Sequence, residues 1–297
     1  KLDTWHKENS EKEINTDDYT NFLRKIDYLV DEKEDFKIDT KNVDKEIANI
    51  SGPQLVVPIT NSRYSINAVN SRWGSLYDAV YGSDVLGTLP EKNKYDPKRG
   101  DKVIAFSKNH LDKVAPLKDA NWEKVVKFKL QNNQILFYLS SDIFTTLHNP
   151  AQIVGLNFND KKEIRELILV INNLHCRIII NPDSTIGKLD PANISDIILE
   201  SAISTILDCE DSVATVDADD KISAYRNWLG LMKGNIESKF TKNNQLITRV
   251  LNEDIEYFSL EGNKNTLRSR SLMLIRNVGH LMTTHAILNN ENEEIGE

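Results

Sequence analysis

Cysteine is nearly absent. Cys176 and Cys209 are the only two in 297 residues, too few for a disulfide framework or a zinc site, which fits a reducing compartment. No stretch approaches the roughly 18 consecutive apolar residues of a membrane-crossing helix. The opening KLDTWHKENSEKE has neither the basic start nor the apolar core of a signal peptide, so a cytoplasmic protein is expected. An excess of positive charge is also missing. The net charge of −8 argues against non-specific binding to nucleic acid or to an anionic membrane surface, and no basic run interleaved with aromatics offsets it. The six histidines show no H-E-x-x-H spacing, and neither a P-loop nor G-x-G-x-x-G occurs.

What the chain does have is apolar content of 39%, enough to bury a large core as one big domain or two smaller ones. It begins at a lysine inside an amphipathic pattern and ends in the polar NNENEEIGE, which leads us to expect a piece of a longer protein. Residues 1 to about 50 are charged, with Tyr19, Phe22, Leu23, Ile26 and Leu29 at helical spacing. At GPQLVVPIT the composition changes sharply. Leu55, Val56 and Val57 form an apolar run between Pro53 and Pro58, as expected for a strand buried on both faces. Loop and helix follow to Tyr81, with Gly82 as a stop.

From about 83 to 189 the texture differs. KVIAFSKNHLDKV predicts a helix, and VVKFKL with ILFYLS, then LILVIN with CRIIIN, predict antiparallel hairpins across Asn-rich turns, hence an α+β insertion. At Asp190 a helical pattern is expected to resume, with Asp190 as cap, Pro191 in the first turn and a stripe of Ile194, Ile197 and Ile198. A further helix is expected after Asp217, which with Asp220 resembles a capping box. Ile222, Tyr225, Leu229 and Met232 would line its apolar face and Gly234 would end it. The polar segment 235–270 reads as an inserted hairpin pairing QLITRVL with EYFSL.

Chemistry concentrates at SAISTILDCEDS. A strand from Ile203 to Leu207 runs into Asp208, Glu210 and Asp211, and alternation sends Asp208 and Glu210 to one face and Cys209 and Asp211 to the other. Paired carboxylates at a strand end call for a cation, a metal-bound water or a hydrogen-bond donor. A solvated acidic loop is the plainer reading. A later strand, Leu272 to Ile275, ends in Arg276. In parallel α/β folds side chains from several strands converge at their carboxyl ends, so Arg276 could hold a small carboxylate with its fork. It could equally form a structural ion pair with Asp208 and bind nothing. His280 reads as a packed or capping residue and Cys209 as a core thiol. Arg63, Tyr64 and Arg249 are cationic or aromatic groups suited to phosphates and a purine, although each alone is ordinary surface.

Three blocks, GPQLVVPITNSRYSINAVNSRWGSLYDAVYGSD, DPANISDIILESAISTILDCEDSVATVDADDKISAYRNWLGLMKG and SLMLIRNVGHLMT, resemble the malate synthase family in its long monomeric G form, with weaker similarity between them over nearly the whole chain. The resemblance implies an α/β fold: an incomplete TIM-type (β/α)8 barrel with an inserted α+β domain and an N-terminal helical clasp. Residues 1–50 would be the clasp, 51–82 the first barrel unit, 83–189 the insertion, 190–234 a barrel unit with the acidic motif, 235–270 an inserted hairpin, and 271–297 a barrel strand and tail.

The family condenses acetyl-CoA with glyoxylate and hydrolyses malyl-CoA to malate and CoA in the glyoxylate cycle, with Mg²⁺. The resemblance assigns Arg276 to glyoxylate and to the enolate charge, and Asp208 and Glu210 to orienting that arginine and hydrogen-bonding around hydrated magnesium. Val56, Arg63, Tyr64, Ser212 and Arg249 match its acetyl-CoA positions. The direct Mg²⁺ ligands and the aspartate base are expected beyond Glu297. Three of eight strands cannot close a barrel, so residues 1–297 alone are expected to be inactive. A citryl-CoA or malyl-CoA lyase, whose barrels use an E-D-S-V or E-D-A-V strand end, and a non-catalytic assembly module are the alternatives.

Overall fold

The computed structural model describes residues 1–91, 95–242, 244–277, 279 and 283–296. It divides into two compact units, Lys1–Val43 and Asp44–Glu297. In the first, α1 (Leu2–Glu8) and α2 (Thr16–Lys25) bring the Trp5 ring within 4.6 Å of Tyr19 and 5.4 Å of Phe22. The Asn15 side chain accepts the N–H groups of Asp17 and Asp18 and so caps α2. Neither helix contains a buried residue.

The second unit starts with α3 (Lys45–Ala48), β1 (Gln54–Pro58), α4 (Ser62–Asn70), β2 (Trp73–Ser75), α5 (Leu76–Gly82) and α6 (Pro97–Val114). A strand-rich stretch follows: β3 (Lys127–Gln131), β4 (Gln134–Tyr138), β5 (Phe144–Thr145), β6 (Ile153–Phe158), β7 (Ile164–Ile171), β8 (Leu174–Ile180) and β9 (Ile194–Glu200). Then come β10 (Ser204–Asp208), α7 (Ala218–Lys233), β11 (Glu237–Lys242), β12 (Gln245–Val250), β13 (Ile255–Phe258) and β14 (Lys264–Leu267). The last strands are β15 (Leu272–Arg276), β16 (Thr283–Leu288) and β17 (Glu294–Gly296).

Two sheets of opposite character organise this unit. One is a parallel, three-stranded sheet ordered β1-β10-β15. The other has seven strands ordered β14-β13-β6-β7-β8-β9-β2, all paired antiparallel. The fold is therefore mixed α/β with mostly antiparallel strands. The expected hairpins form as β3–β4 and β7–β8. Both central residues of each turn, Asn132–Asn133 and Asn172–Asn173, have positive φ, the backbone a two-residue hairpin turn requires and asparagine tolerates.

Three local expectations are corrected. The helix expected from Asp190 is a turn and a strand. Asp190 Oδ1 accepts the N–H groups of Ala192 and Ile194, Asn193 takes φ 59, and the isoleucines enter β9. Their helix-like spacing of three comes from a bulge opposite Ile179–Ile180, which inserts one residue into the strand alternation. The segment 235–270 does not pair QLITRVL with EYFSL. Instead β12 pairs with β11, while β13 pairs with β14 and touches β6. Strand β1 is covered on one face only: Val57 is 7% exposed, Val56 56%.

Helix α7 has the predicted ends. Asp217 accepts the Asp220 N–H at 2.9 Å, Asp220 accepts the Val216 N–H at 3.2 Å, and Gly234 closes the helix at φ 75. Its buried residues, however, are Lys221, Ala224 and Leu231, one position away from the expected stripe. Ile222, Leu229 and Met232 are 49%, 53% and 62% exposed. The helix is apolar on two adjacent stripes, and spacing alone does not say which one meets the sheet.

Between the two sheets runs a buried ionic cluster. Arg72 donates to Glu200 Oε1 at 2.8 Å, to Glu46 Oε1 at 2.8 Å and to the Arg270 carbonyl at 3.2 Å. Glu200 also receives the His175 backbone N–H at 2.7 Å and lies 2.8 Å from its Nδ1. Burial alone would raise the pKa of Glu200 and of Glu46. The bonds from His175 and Arg72 respectively, with the nearby positive charges, outweigh it and hold both carboxyls below their usual value of 4.5. The stabilisation is thus fully present above that value and fades as pH falls through the lower, folded-state values. Arg72→Met leaves buried Glu46 with Arg268 alone, at 3.2 Å, and buried Glu200 with His175 alone, and we expect a loss of about 2–3 kcal/mol in urea unfolding at neutral pH. A loss no larger than that of an exposed pair, about 1 kcal/mol, would refute this assignment.

Candidate functional site

The parallel sheet sets Pro58, Asp208 and Arg276 side by side at the carboxyl ends of β1, β10 and β15. Backbone bonds lock the ends together: Ile59 N–H donates to the Asp208 carbonyl at 3.1 Å, and Cys209 N–H to the Arg276 carbonyl at 2.8 Å. Partners in register point to the same face, so Val56, Ile206 and Leu274 share the face of Asp208 and Arg276. The opposite face carries Val57, Leu207 and Ile275 into a core with Ile66 and Val69 of α4 and Ala224 and Leu231 of α7.

Asp208 is 0% exposed, yet its carboxylate is saturated with donors. Oδ1 accepts Arg276 Nε at 2.9 Å and the Glu210 N–H at 3.0 Å. Oδ2 accepts Arg276 Nη2 at 2.9 Å, the Ser212 N–H at 2.8 Å and the Ser212 hydroxyl at 2.6 Å. The fork from Arg276 is the largest cause holding the Asp208 carboxyl far below the usual range, against the opposing effect of burial. In turn the Asp208 bond holds the Arg276 pKa above its ordinary value. A third nitrogen, Arg276 Nη1, meets Asp211 Oδ2 at 3.1 Å. A guanidinium has five N–H groups; two of them donate to Asp208, and Nη1 faces Asp211 as an ion pair without hydrogen-bond alignment, on a side chain 39% exposed.

The chain turns at Asp208 instead of continuing as a strand, and this corrects the expected alternation. Asp211, not Glu210, pairs with Arg276. The Glu210 side chain makes no hydrogen bond or ion pair among the described residues and sits close enough to add to the field on Arg276. Ser212 is tied to Asp208, an Asp-x-x-x-Ser spacing that local turn chemistry makes recognisable. Cys209 is buried in the core with its thiol pushed up, chiefly by burial.

The remaining candidates lie on neighbouring elements. Arg63 and Tyr64 are exposed in the first turn of α4, where Asn61 caps the Tyr64 N–H. Arg63 stacks its guanidinium 4.0 Å above the Phe240 ring of β11, a partner that no spacing in the sequence announces. Arg249 is exposed on β12, opposite Ser238, in the hairpin that packs against α4. His280 lies outside the described residues. Among the described residues no group of three or more His, Cys, Asp or Glu side chains is arranged to hold a metal ion. The residues present do not fit a magnesium ion: both Asp208 oxygens are taken, Asp211 is paired, and Glu210 would stand alone. No helix among the described residues is long and apolar enough to cross a membrane.

Residues 95–170 match the family model described as malate synthase G, alpha-beta insertion domain. The whole chain is 46% identical to a malate synthase G of Halalkalibacterium halodurans and 44% identical to one of Corynebacterium glutamicum. It spans 41% and 40% of those two proteins. The chain is thus homologous throughout to about two fifths of the curated relatives it matches.

Arg276→Met would leave the Asp208 carboxylate, 0% exposed, without its counter-ion, and a lower urea midpoint than that of the unaltered chain is expected at neutral pH. Glu210→Gln should stay within about 0.5 kcal/mol. Because the folded-state pKa of Asp208 is depressed, the deficit of Arg276→Met is complete above the usual value of 3.8 and narrows at lower pH as Asp208 is protonated in the variant. Equal stability of the two variants would contradict this account of the site.

Proposed function

We propose that the chain is the part of a malate synthase of the G type that supplies the reactive arginine and its supports. The observation that carries this reading is the forked Asp208–Arg276 pair at the carboxyl ends of three parallel strands, within a chain homologous throughout to malate synthase G. A purely structural ion pair would have no need of a half-exposed arginine with N–H groups left over. Those donors suit the carboxylate of glyoxylate and, as acetyl-CoA becomes an enolate, the oxygen on which negative charge develops. Asp208 fixes the orientation of the guanidinium in advance, so little reorganisation accompanies the reaction. The enolate carbon then attacks the aldehyde carbon of glyoxylate, and hydrolysis of the resulting malyl-CoA gives malate and CoA.

The fold supports an incomplete (β/α)8 barrel. Strands β1, β10 and β15 follow one another across the sheet in chain order, all parallel. Helices α4 and α7 cover the same face, whereas a doubly wound sheet has helices on both. The open face with Asp208, Arg276 and Val56 would then be the barrel interior. On this reading the exposed Ile222, Leu229 and Met232 of α7 belong against a neighbouring barrel helix. Arg63, Tyr64 and Arg249, on adjoining elements at the rim, are suited to the phosphates and adenine of acetyl-CoA, and Val56 and Ser212 line its approach. Magnesium and proton removal require carboxylates outside residues 1–297. Glu210 is available to hydrogen-bond a metal-bound water.

The purified 297-residue chain is expected to release no thiol from acetyl-CoA with glyoxylate and Mg²⁺. Joined to the part of the Halalkalibacterium halodurans malate synthase G that it does not cover, it should gain glyoxylate-dependent thiol release. Turnover by the chain alone at the rate of the relative, or a folded but silent hybrid, would count against the proposal.

A further inference from the structure

Strand β3 is an edge strand, hydrogen-bonded to β4 alone. Beside it lies a cavity of ≈ 680 Å³ that reaches Phe158, Ile164 and Ile180 at the ends of β6, β7 and β8. Side chains alternate along a strand, so five consecutive lining residues, 126–130, place this cavity along the unpaired edge. A second cavity, of ≈ 350 Å³, adjoins it: the two share Leu130 and Phe158, and the smaller extends to Phe258 and Leu260.

The inner wall is apolar. Phe128, Leu130, Ile164, Ile180 and Leu260 belong to the large core or pack against it, while Phe158 and Phe258 remain 38% and 41% exposed. Two open phenylalanines at one cavity form a surface that a ligand can cover. The mouth is cationic. Lys127 and Lys129 alternate with Phe128 and Leu130 and are exposed, and Lys162 joins them from the turn between β6 and β7. None of the three makes an ion pair or a side-chain hydrogen bond among the described residues. Glu163 is the one carboxylate residue that lines the larger cavity, and it accepts the Asn159 amide at 3.0 Å. Glu261 lines the smaller one and is bonded to Ser259. Three lysines against one glutamate make the larger cavity positive in a chain whose net charge is −8.

Lys162 is also unusual in its backbone, with φ 62. Every other non-glycine residue with positive φ among the described residues is asparagine or aspartate, the side chains that tolerate this conformation. Strained backbone of this kind clusters at ligand sites. Here it holds a lysine at the mouth of the cavity.

We propose that the joined cavities bind an amphipathic anion, a carboxylate carrying an unbranched apolar chain. The chain would lie along Leu130, Phe158, Phe258 and Leu260, and the carboxylate would be met by Lys127, Lys129 and Lys162. The lysine stems extend the apolar wall while their ammonium groups stay in water. The elements around the site do not include Asp208 or Arg276, so it is independent of the reaction assigned to them.

The test is calorimetric titration of the full chain with octanoate, 1-octanol and octylammonium, which share a chain and differ in the charge of the head group. Saturable binding of octanoate, at least about tenfold tighter than octanol and with no saturable binding of octylammonium, is expected. The triple variant Lys127→Gln, Lys129→Gln, Lys162→Asn changes exposed positions only and gives residue 162 a side chain suited to its backbone. It should fold as before and lose the preference for octanoate over octanol. Absence of saturable octanoate binding, octanol or octylammonium bound as tightly as octanoate, or an unchanged octanoate affinity in the folded triple variant would each overturn the proposal. The three-probe comparison on the unaltered chain decides the matter even if the variant fails to fold.

Discussion

A carboxylate with no solvent exposure is the constraint around which the parallel sheet is built. Asp208 would be prohibitively costly to ionise in an apolar interior, and five donor contacts remove that cost. Each contact fixes something else. The fork from Arg276 holds the ends of β10 and β15 in register. The N–H groups of Glu210 and Ser212 bend the chain sharply after the strand, and the Ser212 hydroxyl closes that turn. Lysine could not replace Arg276 in this arrangement, because only a planar guanidinium donates two parallel bonds to one carboxylate and keeps further donors free.

The same chain carries an antiparallel sheet whose strands are separated in sequence by the parallel ones. β2 and β9 sit at one end of that sheet, and β10 begins a few residues after β9. Arg72, just before β2, and Glu200, at the end of β9, face each other across this junction and take Glu46 as a third member. A buried ionic cluster is a weak source of net stability, but breaking it is expensive. It therefore defines where each sheet starts more than it strengthens the whole.

Much of this was legible because certain residues have few alternatives. Asn-Asn between apolar runs specified two hairpins, Asp217 and Gly234 specified the ends of α7, and Pro53 to Pro58 bounded β1. Where the sequence misled, two physical patterns coincided. Ile194, Ile197 and Ile198 have helical spacing because a bulge interrupts a strand. On α7 two apolar stripes lie side by side, and only the sheet determines that Ala224 and Leu231 face inward. Alternation past Asp208 failed because side-chain bonds turned the backbone, which brought Asp211 instead of Glu210 to Arg276. The contact of Arg63 with Phe240 joins residues with no sequence relation. The roles assigned to Val56, Arg63, Tyr64, Ser212 and Arg249 came from family resemblance, since spacing alone leaves an exposed arginine or tyrosine indistinguishable from ordinary surface.

The central claim is that Asp208 holds Arg276 in readiness for negative charge that appears during the reaction. Its most direct test is the kcat of Arg276→Lys for thiol release in the hybrid with the uncovered part of the Halalkalibacterium halodurans relative. Lysine keeps the charge but loses the fork. We predict a fall of about 100-fold or more in kcat with little change in the KM for acetyl-CoA. A folded hybrid in which Arg276→Lys leaves kcat unchanged would contradict the account.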